Sequence, residues 1–354
     1  MTQRTGMGLA GMTGLWRLLW AGLAWAALAA PAQASNAGDD GDGLRQQAQA
    51  AAWAGDIDRL EQLYRDALRQ EQPNDWDGES AAASVRAGIL QMIRANGANA
   101  MFYRELDLLT GRWARERPTS ALAQWVHVRA IFGRAWHVRG DTYANKVPGE
   151  AMAEYRRLIA RAEAHLRQHG ELLRNDSTAR LYTIMVGRSA GWSPQQLRAV
   201  ADDWLSRSRL DEGSIYEELV VSLSPRWLGN WELVAEVIEQ AGRRTPQDAG
   251  DRLYARLWSM MAGWIDGNLF EQVPAADWKR VRRGMLSLSS GLRDPSFANR
   301  TAYLACLARD RQTLQEQLAR IGEQLDLSAW AGGGAGGSTN LEACRLWLAR
   351  SQPG

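Results

Sequence analysis

The sequence predicts an all-α protein, an array of antiparallel helix pairs, and three observations support this fold class. Apolar residues recur at helical spacing in segment after segment, as in the run Ile57, Leu60, Tyr64 and Leu68. Prolines stand before these runs and glycines follow them, as they do at helix ends. The alternation that marks β-strands is nearly absent. Because each helix carries one apolar face, the helices must stack on their neighbours to bury it.

The spacing of the runs predicts the finer arrangement. It is compatible with the helix-turn-helix unit of about 34 residues that tetratricopeptide repeats use. We therefore expect a tetratricopeptide-like, right-handed α-solenoid. The residue signature of that repeat is not cleanly met, so a compact all-helical domain of another design remains the structural alternative.

Composition along the chain predicts five segments. Residues 1–34 are expected to form a signal peptide and residues 35–43, rich in Gly and Asp, a disordered lead-in. One helical-repeat domain is expected over residues 44–330. A Gly-rich linker over residues 331–339 then leads to a C-terminal helix and tail over residues 340–354.

The first segment has the three parts of a secretory signal. Arg4 and Arg17 precede an apolar run from Leu18 to Ala30, and the small-residue triplet that ends at Ala34 follows it. Spanning a bilayer takes about 20 apolar residues, more than this run supplies, so a cleaved signal is favoured over a permanent anchor. The mature protein is expected in the bacterial periplasm or outside the cell, without a transmembrane anchor.

Charge and cysteine content narrow the function classes further. Lys and Arg total 42 against 40 Asp and Glu, a formal charge of +2, so no large field of one sign predicts a nucleic-acid partner.

Cys306 and Cys344 are the only cysteines. Because export leads to an oxidising compartment, a disulfide between them is favoured over two buried thiols.

Tryptophan occurs 17 times and phenylalanine only 4 times. Tryptophans on the apolar stripes, such as Trp125, are expected in the core between stacked helices. Others stand at helix junctions, where they either cap helix turns or line a groove for a peptide or a sugar. The junction tryptophans are Trp76, Trp192, Trp227 and Trp330.

Four stretches in a fixed order carry a resemblance to a known family. They run from Trp113 to Ser120, from Trp136 to Val147, from Leu223 to Asn230 and from Tyr303 to Asp310. Together they resemble an uncharacterised bacterial family, catalogued as domain of unknown function number four thousand and thirty-four, over about Ile57 to Trp330. The resemblance implies a tetratricopeptide-like helical array and no assigned activity.

The third stretch departs from that family's pattern, which usually reads Leu-x-Pro-x-Trp-Gly-Gly-Ser. Leu228 and Asn230 stand in place of one Gly and of the Ser, so this turn is expected to differ in detail.

Three residues in these stretches are candidates for partner binding: Arg139, Trp227 and Asn230. Arg139 and Asn230 are polar residues at helix ends, each next to a tryptophan and a glycine, where a side chain can contact a ligand. The alternative is structural. Arg139 would then bond the carbonyls at a helix C-terminus, and Asn230 would cap the helix that begins near Trp231.

Residue patterns of catalytic and metal sites give no persuasive match. His165 and His169 have the spacing of a metal-binding pair, but they lack the zinc-protease glutamate between them, and they stand where a helix C-terminus favours histidine. The stretch Asp75–Gly78 lacks the acidic ends of a calcium loop, and Gly332–Thr339 lacks the lysine of a phosphate loop. The pair Glu217 and Glu218 is expected on a solvated surface. We predict no catalytic residue, no metal ligand and no cofactor.

Three functional hypotheses remain. The first is a non-enzymatic exported helical-repeat protein whose concave surface binds a protein or peptide partner in the cell envelope. The second is a hydrolase or binding protein for an envelope polymer, peptidoglycan or polysaccharide, with an acidic pair beside Trp192 or Trp227 in one pocket. The third is a structural module without a defined pocket.

Overall fold

The computed structural model describes residues 40–70, 81–93, 99–142, 144–208, 212–227, 229–244, 247–291, 295–332 and 335–350. In these ranges every regular element is a helix, apart from an isolated bridge between Gly332 and Ala335, so the all-α prediction is confirmed. The predicted signal peptide and Trp76 lie outside the described residues. None of the described helices is both long and apolar enough to cross a bilayer.

The chain divides into two compact units. Among the described residues, unit 1 comprises those up to residue 182 and unit 2 those from residue 183 onwards. The helices that begin in unit 1 are α1 (Asp40–Ala54), α2 (Ile57–Gln70), α3 (Ala81–Ile93), α4 (Ala100–Glu116), α5 (Ala121–Arg139), α6 (Gly149–Gln168), α7 (Gly170–Leu173) and α8 (Ser177–Ala190).

The helices of unit 2 follow in chain order. They are α9 (Pro194–Arg207), α10 (Glu212–Ser222), α11 (Trp231–Arg244), α12 (Gln247–Met261), α13 (Leu269–Gln272), α14 (Trp278–Gly291), α15 (Pro295–Leu307), α16 (Arg311–Ile321) and α17 (Gly337–Arg350). The first helix in the described part of the chain begins at Asp40, inside the segment predicted as a disordered lead-in. The last begins at Gly337 instead of Asn340.

The core of unit 1 forms around an aromatic group. The ring of Trp125 on α5 is fully buried and packs edge-on against Tyr64 of α2, with 5.8 Å between the ring centroids. On another side Trp125 stacks on Tyr182 of α8 at 5.9 Å. The predicted core position of Trp125 is confirmed. The three rings tie α2, α5 and α8 together by burying large apolar surfaces.

In each unit one pair of helices packs with its backbones close together. Helix α3 packs against α1 at Gly88, where a Cβ atom would overlap the backbone of Arg45. Helix α14 packs against α12 at Gly284, where a Cβ atom would overlap the backbone of Asp251. Only glycine allows an approach this close without displacing one of the helices.

A separate apolar cluster joins α15, α16 and α17 in unit 2. Cys306 of α15 and Cys344 of α17 are brought to disulfide distance, with 2.06 Å between their sulfur atoms. Trp330 lies in the same cluster, fully buried, and its Nε1 donates to Oδ1 of Asn299 at 3.0 Å. The interpretation of Trp330 as a groove residue is therefore wrong, because no part of its ring reaches the surface.

The Gly-rich segment before α17 is held by one side chain. Nδ2 of Asn340 donates to the carbonyl oxygens of Trp330 and Gly332, at 2.8 and 2.9 Å. The backbones of Gly332 and Ala335 also bond to each other. Where the structure describes it, the segment forms a turn that Asn340 pins against α17.

Candidate functional site

Unit 1 contains a charged cleft with a volume of about 280 Å³. It lies between α2 and the turn that joins α4 to α5. We call it the charged cleft and define it by the six residues that carry its chemistry: Asp58, Glu61, Arg65, Leu68, Arg117 and Ser120.

One face of α2 supplies the first wall of the charged cleft. Asp58, Glu61, Arg65 and Leu68 follow one another at intervals of three or four residues, which places them on a single face of a helix. The helix forms here because the buried residues Leu60, Leu63, Tyr64 and Ala67 recur at the same period on the opposite side. Packing of that apolar side fixes which charged residues face outward into the cleft.

The second wall is the turn between α4 and α5. Ser120 caps α5, because its Oγ accepts the backbone N–H of Ala123 at 3.0 Å. Gln124, which is fully buried, holds the turn from inside, since its Nε2 donates to the carbonyl oxygens of Ala114 and Arg117 at 3.0 and 3.2 Å. The wall that carries Arg117 and Ser120 is therefore fixed by side-chain hydrogen bonds as well as by the backbone.

Most charges of the cleft are already engaged. Nη2 of Arg117 bonds Oδ1 of Asp58 at 2.6 Å, across the cleft. Nε1 of the buried Trp113 donates to Oε1 of Glu61 at 3.2 Å. In the described part of the chain, the guanidinium of Arg65 forms neither an ion pair nor a hydrogen bond. The cleft thus presents one unpaired cation beside apolar and polar groups.

Beneath the cleft lies a buried polar pair. The hydroxyl of Tyr64 donates to Oδ2 of Asp176 at 2.8 Å, and both side chains are almost fully buried. Burial raises the pKa of Asp176, against the lowering effect of the Ala179 N–H that bonds it. Burial and the nearby Asp176 also raise the pKa of Tyr64 well above its ordinary value. The pair fastens α2 to the start of α8 and engages the hydroxyl of Tyr64.

A second cluster in unit 1 groups three histidines, and we call it the histidine cluster: His127 on α5, with His165 and His169 at the end of α6. The rings of His127 and His165 are 5.0 Å apart and those of His165 and His169 are 4.5 Å apart. His165 also contacts the side chain that holds the turn of the cleft, because its Nε2 lies 2.9 Å from Oε1 of Gln124. Since the amide nitrogen of Gln124 serves two carbonyls, His165 donates in this bond.

His127 is held next to a buried ionic group. Its Nδ1 lies 3.0 Å from Oγ1 of Thr110 and 3.9 Å from Oδ1 of Asp107. Asp107 is itself bound by Arg134, with 2.9 Å between Nη1 and Oδ2, and by both terminal nitrogens of Arg161. Because two guanidinium groups already occupy this carboxylate, it does not keep the imidazole of His127 charged.

The pKa values of the cluster reflect these surroundings. Burial is the main cause that lowers the pKa of His127 to about 4, and the positive charge of Arg161 acts in the same direction. Burial, together with the neighbouring His127, lowers the pKa of His165 to about 4 as well. Burial acts to raise the pKa of Asp107, but the hydrogen bonds and charge of Arg161, with Arg134, outweigh it and keep the pKa below its ordinary value. At neutral pH the imidazoles of His127 and His165 are therefore uncharged and the carboxyl group of Asp107 is ionised.

No group of three His, Cys, Asp or Glu side chains converges as metal ligands within the described ranges. The proximity of His127 to His165 could not be expected from their separation in sequence. It arises because α5 and α6 are packed as neighbours.

Acid is expected to destabilise unit 1 through the histidine cluster. The unfolded chain binds a proton at His127 below about pH 6.5, whereas the folded protein resists until about pH 4, so stability falls as pH is lowered between these values. His127 is only 8% exposed, and protonating it should lower the free energy of unfolding by about 3 kcal/mol between pH 6.5 and pH 4. Urea unfolding at several pH values between 7 and 4 measures it.

Two variants test the source of this pH dependence. His127→Asn should make the decline in unfolding free energy between pH 6.5 and 4 shallower, leaving the part that His165 contributes. The matched control is His137→Asn, which removes an exposed histidine from the same helix and should leave the wild-type pH dependence in place. Equal pH profiles for wild type and His127→Asn would contradict the assignment.

In unit 2 the structure corrects one expectation about the acidic pair of α10. Oε1 of Glu218 lies 2.5 Å from Nη1 of Arg188 and 3.2 Å from Oγ of Ser222, with only 17% of the glutamate side chain exposed. Burial raises the pKa of Glu218 in spite of the charge of Arg188. The prediction of a solvated pair is wrong for Glu218. Neighbouring residues of α10 point in different directions, so Glu217 pairs with Arg256 whereas Glu218 points inward to Arg188.

The three predicted binding residues have intramolecular contacts. Nη1 of Arg139 donates to the carbonyl oxygens of Gly140 and Thr142, at 3.0 and 3.1 Å. Oδ1 of Asn230 accepts the N–H of Leu233 at 2.8 Å, which caps α11. The guanidinium of Arg188 lies over the half-buried ring of Trp227, 4.4 Å from its centroid. The cap made by Asn230 is the contact that the structural alternative predicted, whereas Arg139 bonds carbonyls just beyond the end of α5.

Partner binding by these residues stays a prediction. Arg139 belongs to unit 1, whereas Trp227 and Asn230 belong to unit 2 and lie near each other in sequence. The sequence reasoning missed Arg65 and Glu61. Their signal was present in the spacing of charges along α2, but the same spacing occurs on many solvated helix faces.

Comparison of the chain with known protein families, with curated proteins and with solved structures finds no match.

Proposed function

We propose that this chain is a non-enzymatic, exported helical-repeat protein of the bacterial envelope, and that its charged cleft receives a protein or peptide partner. The observation that carries the proposal is the cleft itself. It combines an unpaired guanidinium, a carboxylate and apolar side chains on walls that helix packing and Gln124 hold in place. Polar groups that converge on a preformed concave site are typical of binding sites.

Features of the sequence support the remaining parts of this proposal, which are export, family and fold. The leader over residues 1–34 supports delivery to the periplasm or the medium. The ordered motifs support membership of domain of unknown function number four thousand and thirty-four, and the run of helix pairs supports a tetratricopeptide-like, right-handed solenoid. A protein built in this way offers extended surfaces for association.

The test is affinity capture of partners from native envelope extract by the mature chain, residues 35–354. Three proteins are compared: wild type, Arg65→Gln with Arg117→Gln, and a control with Arg69→Gln and Arg167→Gln. The control makes the same charge change at exposed arginines outside the cleft, each paired with a neighbour on its own helix. We expect a partner that wild type and control retain after a salt wash and that the cleft variant loses. Equal retention by the cleft variant would refute the proposal.

The polymer-hydrolase alternative has one observation in its favour. Glu218 is a buried carboxyl group with a raised pKa, and Arg188 connects it to the ring of Trp227. A raised pKa is what a general acid needs. We favour the binding function because Arg188 and Ser222 already occupy this carboxylate, so its contacts account for its burial. Release of soluble fragments from purified peptidoglycan by wild type, and not by Glu218→Gln, would reverse this preference.

A further inference from the structure

We infer that the charged cleft binds its partner through a carboxylate group of that partner, received by Arg65; this rests on the proposed function of the cleft. An ion pair that the sequence of α2 favours, between Glu61 and Arg65, does not form. Glu61 and Arg65 are four residues apart on α2, with the acid first, which is the favoured arrangement for an ion pair on a helix. Among the described residues neither side chain is paired with the other.

Trp113 supplies the reason. Its indole is buried, so its Nε1 needs an acceptor, and Oε1 of Glu61 provides it at 3.2 Å. This bond directs one carboxylate oxygen of Glu61 towards α4. The other acid of the wall, Asp58, is bound to Arg117 at 2.6 Å. Both acids that could neutralise Arg65 are engaged elsewhere.

The rest of the cleft indicates which anion fits. A single unpaired guanidinium balances one negative charge, whereas a phosphate group would bring about two charges against Asp58 and Glu61. A planar carboxylate also matches the fork of an arginine. The start of α5, capped by Ser120, adds the positive end of a 19-residue helix to the same site. Leu68 offers apolar contact to the carbon chain that carries the carboxylate.

In a peptide or protein partner, a carboxylate comes either from the chain terminus or from an Asp or Glu side chain. The experiment separates these two sources with three N-acetylated pentapeptides of alanine ending in leucine. The first has a free C-terminal carboxylate, the second is the C-terminal amide, and the third is the amide with glutamate at its third residue. Each is titrated into the full mature chain by isothermal calorimetry at low salt.

We expect at least one carboxylate peptide to bind about fivefold or more tightly than the uncharged amide, and the preference to shrink as salt is added. Preference for the first peptide identifies a chain terminus, and preference for the third identifies an acidic side chain. Equal affinity of all three peptides, or binding by none of them, overturns the inference.

Two variants of the cleft are expected to act in opposite directions. Arg65→Gln should reduce the affinity of the carboxylate peptide to that of the amide. Glu61→Gln should increase it about two- to fivefold, because the amide oxygen still accepts the bond from Trp113 while a competing negative charge is removed. Arg69→Gln, one turn further along α2, is the control and should change nothing. An unchanged affinity in Arg65→Gln also overturns the inference.

The two proposals fail in distinguishable ways. If the Arg65 and Arg117 double variant loses the captured partner while the peptides show no dependence on a carboxylate, the binding function stands and the carboxylate inference falls. If the peptides show that dependence while capture is the same for every variant, the cleft binds carboxylates but is not the partner site.

Discussion

Replacing Asp107 by asparagine is expected to lower the free energy of unfolding by about 3 to 5 kcal/mol. Asp107 is 5% exposed and receives hydrogen bonds from both Arg134 and Arg161. Asparagine keeps the shape but not the charge, so two partly buried guanidinium groups lose their common counter-ion. The cost arises mainly from those remaining charges, because Arg161 loses its carboxylate partner and the half-buried Arg134 is left with Glu154 at 3.4 Å.

Urea unfolding at pH 7, followed by far-UV circular dichroism, measures this effect. Hydrogen exchange over Ala100–Gln168 shows whether the loss falls on α4, α5 and α6, which contribute the three side chains. The control is Asp66→Asn, which breaks an exposed pair with Arg69 at 3.2 Å and should cost less than about 1 kcal/mol. A similar small cost for Asp107→Asn would show that the buried group is not a structural centre of unit 1.

Removing the link between Cys306 and Cys344 is expected to cost about 4 kcal/mol in the stability of unit 2. The two cysteines are 38 residues apart, and a closed loop of that length restricts the unfolded chain by about this amount in the chain-entropy estimate. The variant is Cys306→Ser with Cys344→Ser, which leaves no single thiol behind. We expect faster hydrogen exchange throughout α17, because Leu341, the pinned turn and the bond from Arg311 to the carbonyl oxygen of Leu348 then hold that helix without the covalent link.

The mass of the untreated protein provides the control for this experiment. Denatured wild type should gain about 2 Da on reduction, because two protons are added when one disulfide opens. Asn340→Ala offers the comparison, since it removes the bonds that pin the turn while it leaves the sulfur atoms in place. If the double serine variant is as stable as wild type, packing alone holds α17.

The sequence predicted those features that are decided within one helical turn. The apolar stripe of α2 and the cap that Asn230 provides depend on residues no more than four positions apart. The buried position of Trp125 followed from an equally local pattern. For such residues the neighbours are known before the fold is.

The cleft and the histidine cluster could not be predicted in the same way. His165 meets Gln124 across 41 residues, and Tyr64 meets Asp176 across 112. Helical periodicity places such side chains on a face but does not say which other face they meet. Glu218 is the clearest example. A glutamate next to Glu217 is expected at the solvent-exposed surface, and only the position of Arg188 in the fold explains its burial.

The amide of Gln124 donates hydrogen bonds on one side and accepts one on the other, and this restricts which side chains could replace it. Its nitrogen faces the carbonyls of Ala114 and Arg117, while its oxygen faces His165. Glutamate has the same outline but would set a negative oxygen against two carbonyl oxygens, and leucine would leave both carbonyls without a donor. Three helices and a turn therefore depend on the polarity of one amide, which no side chain of equal size can reproduce.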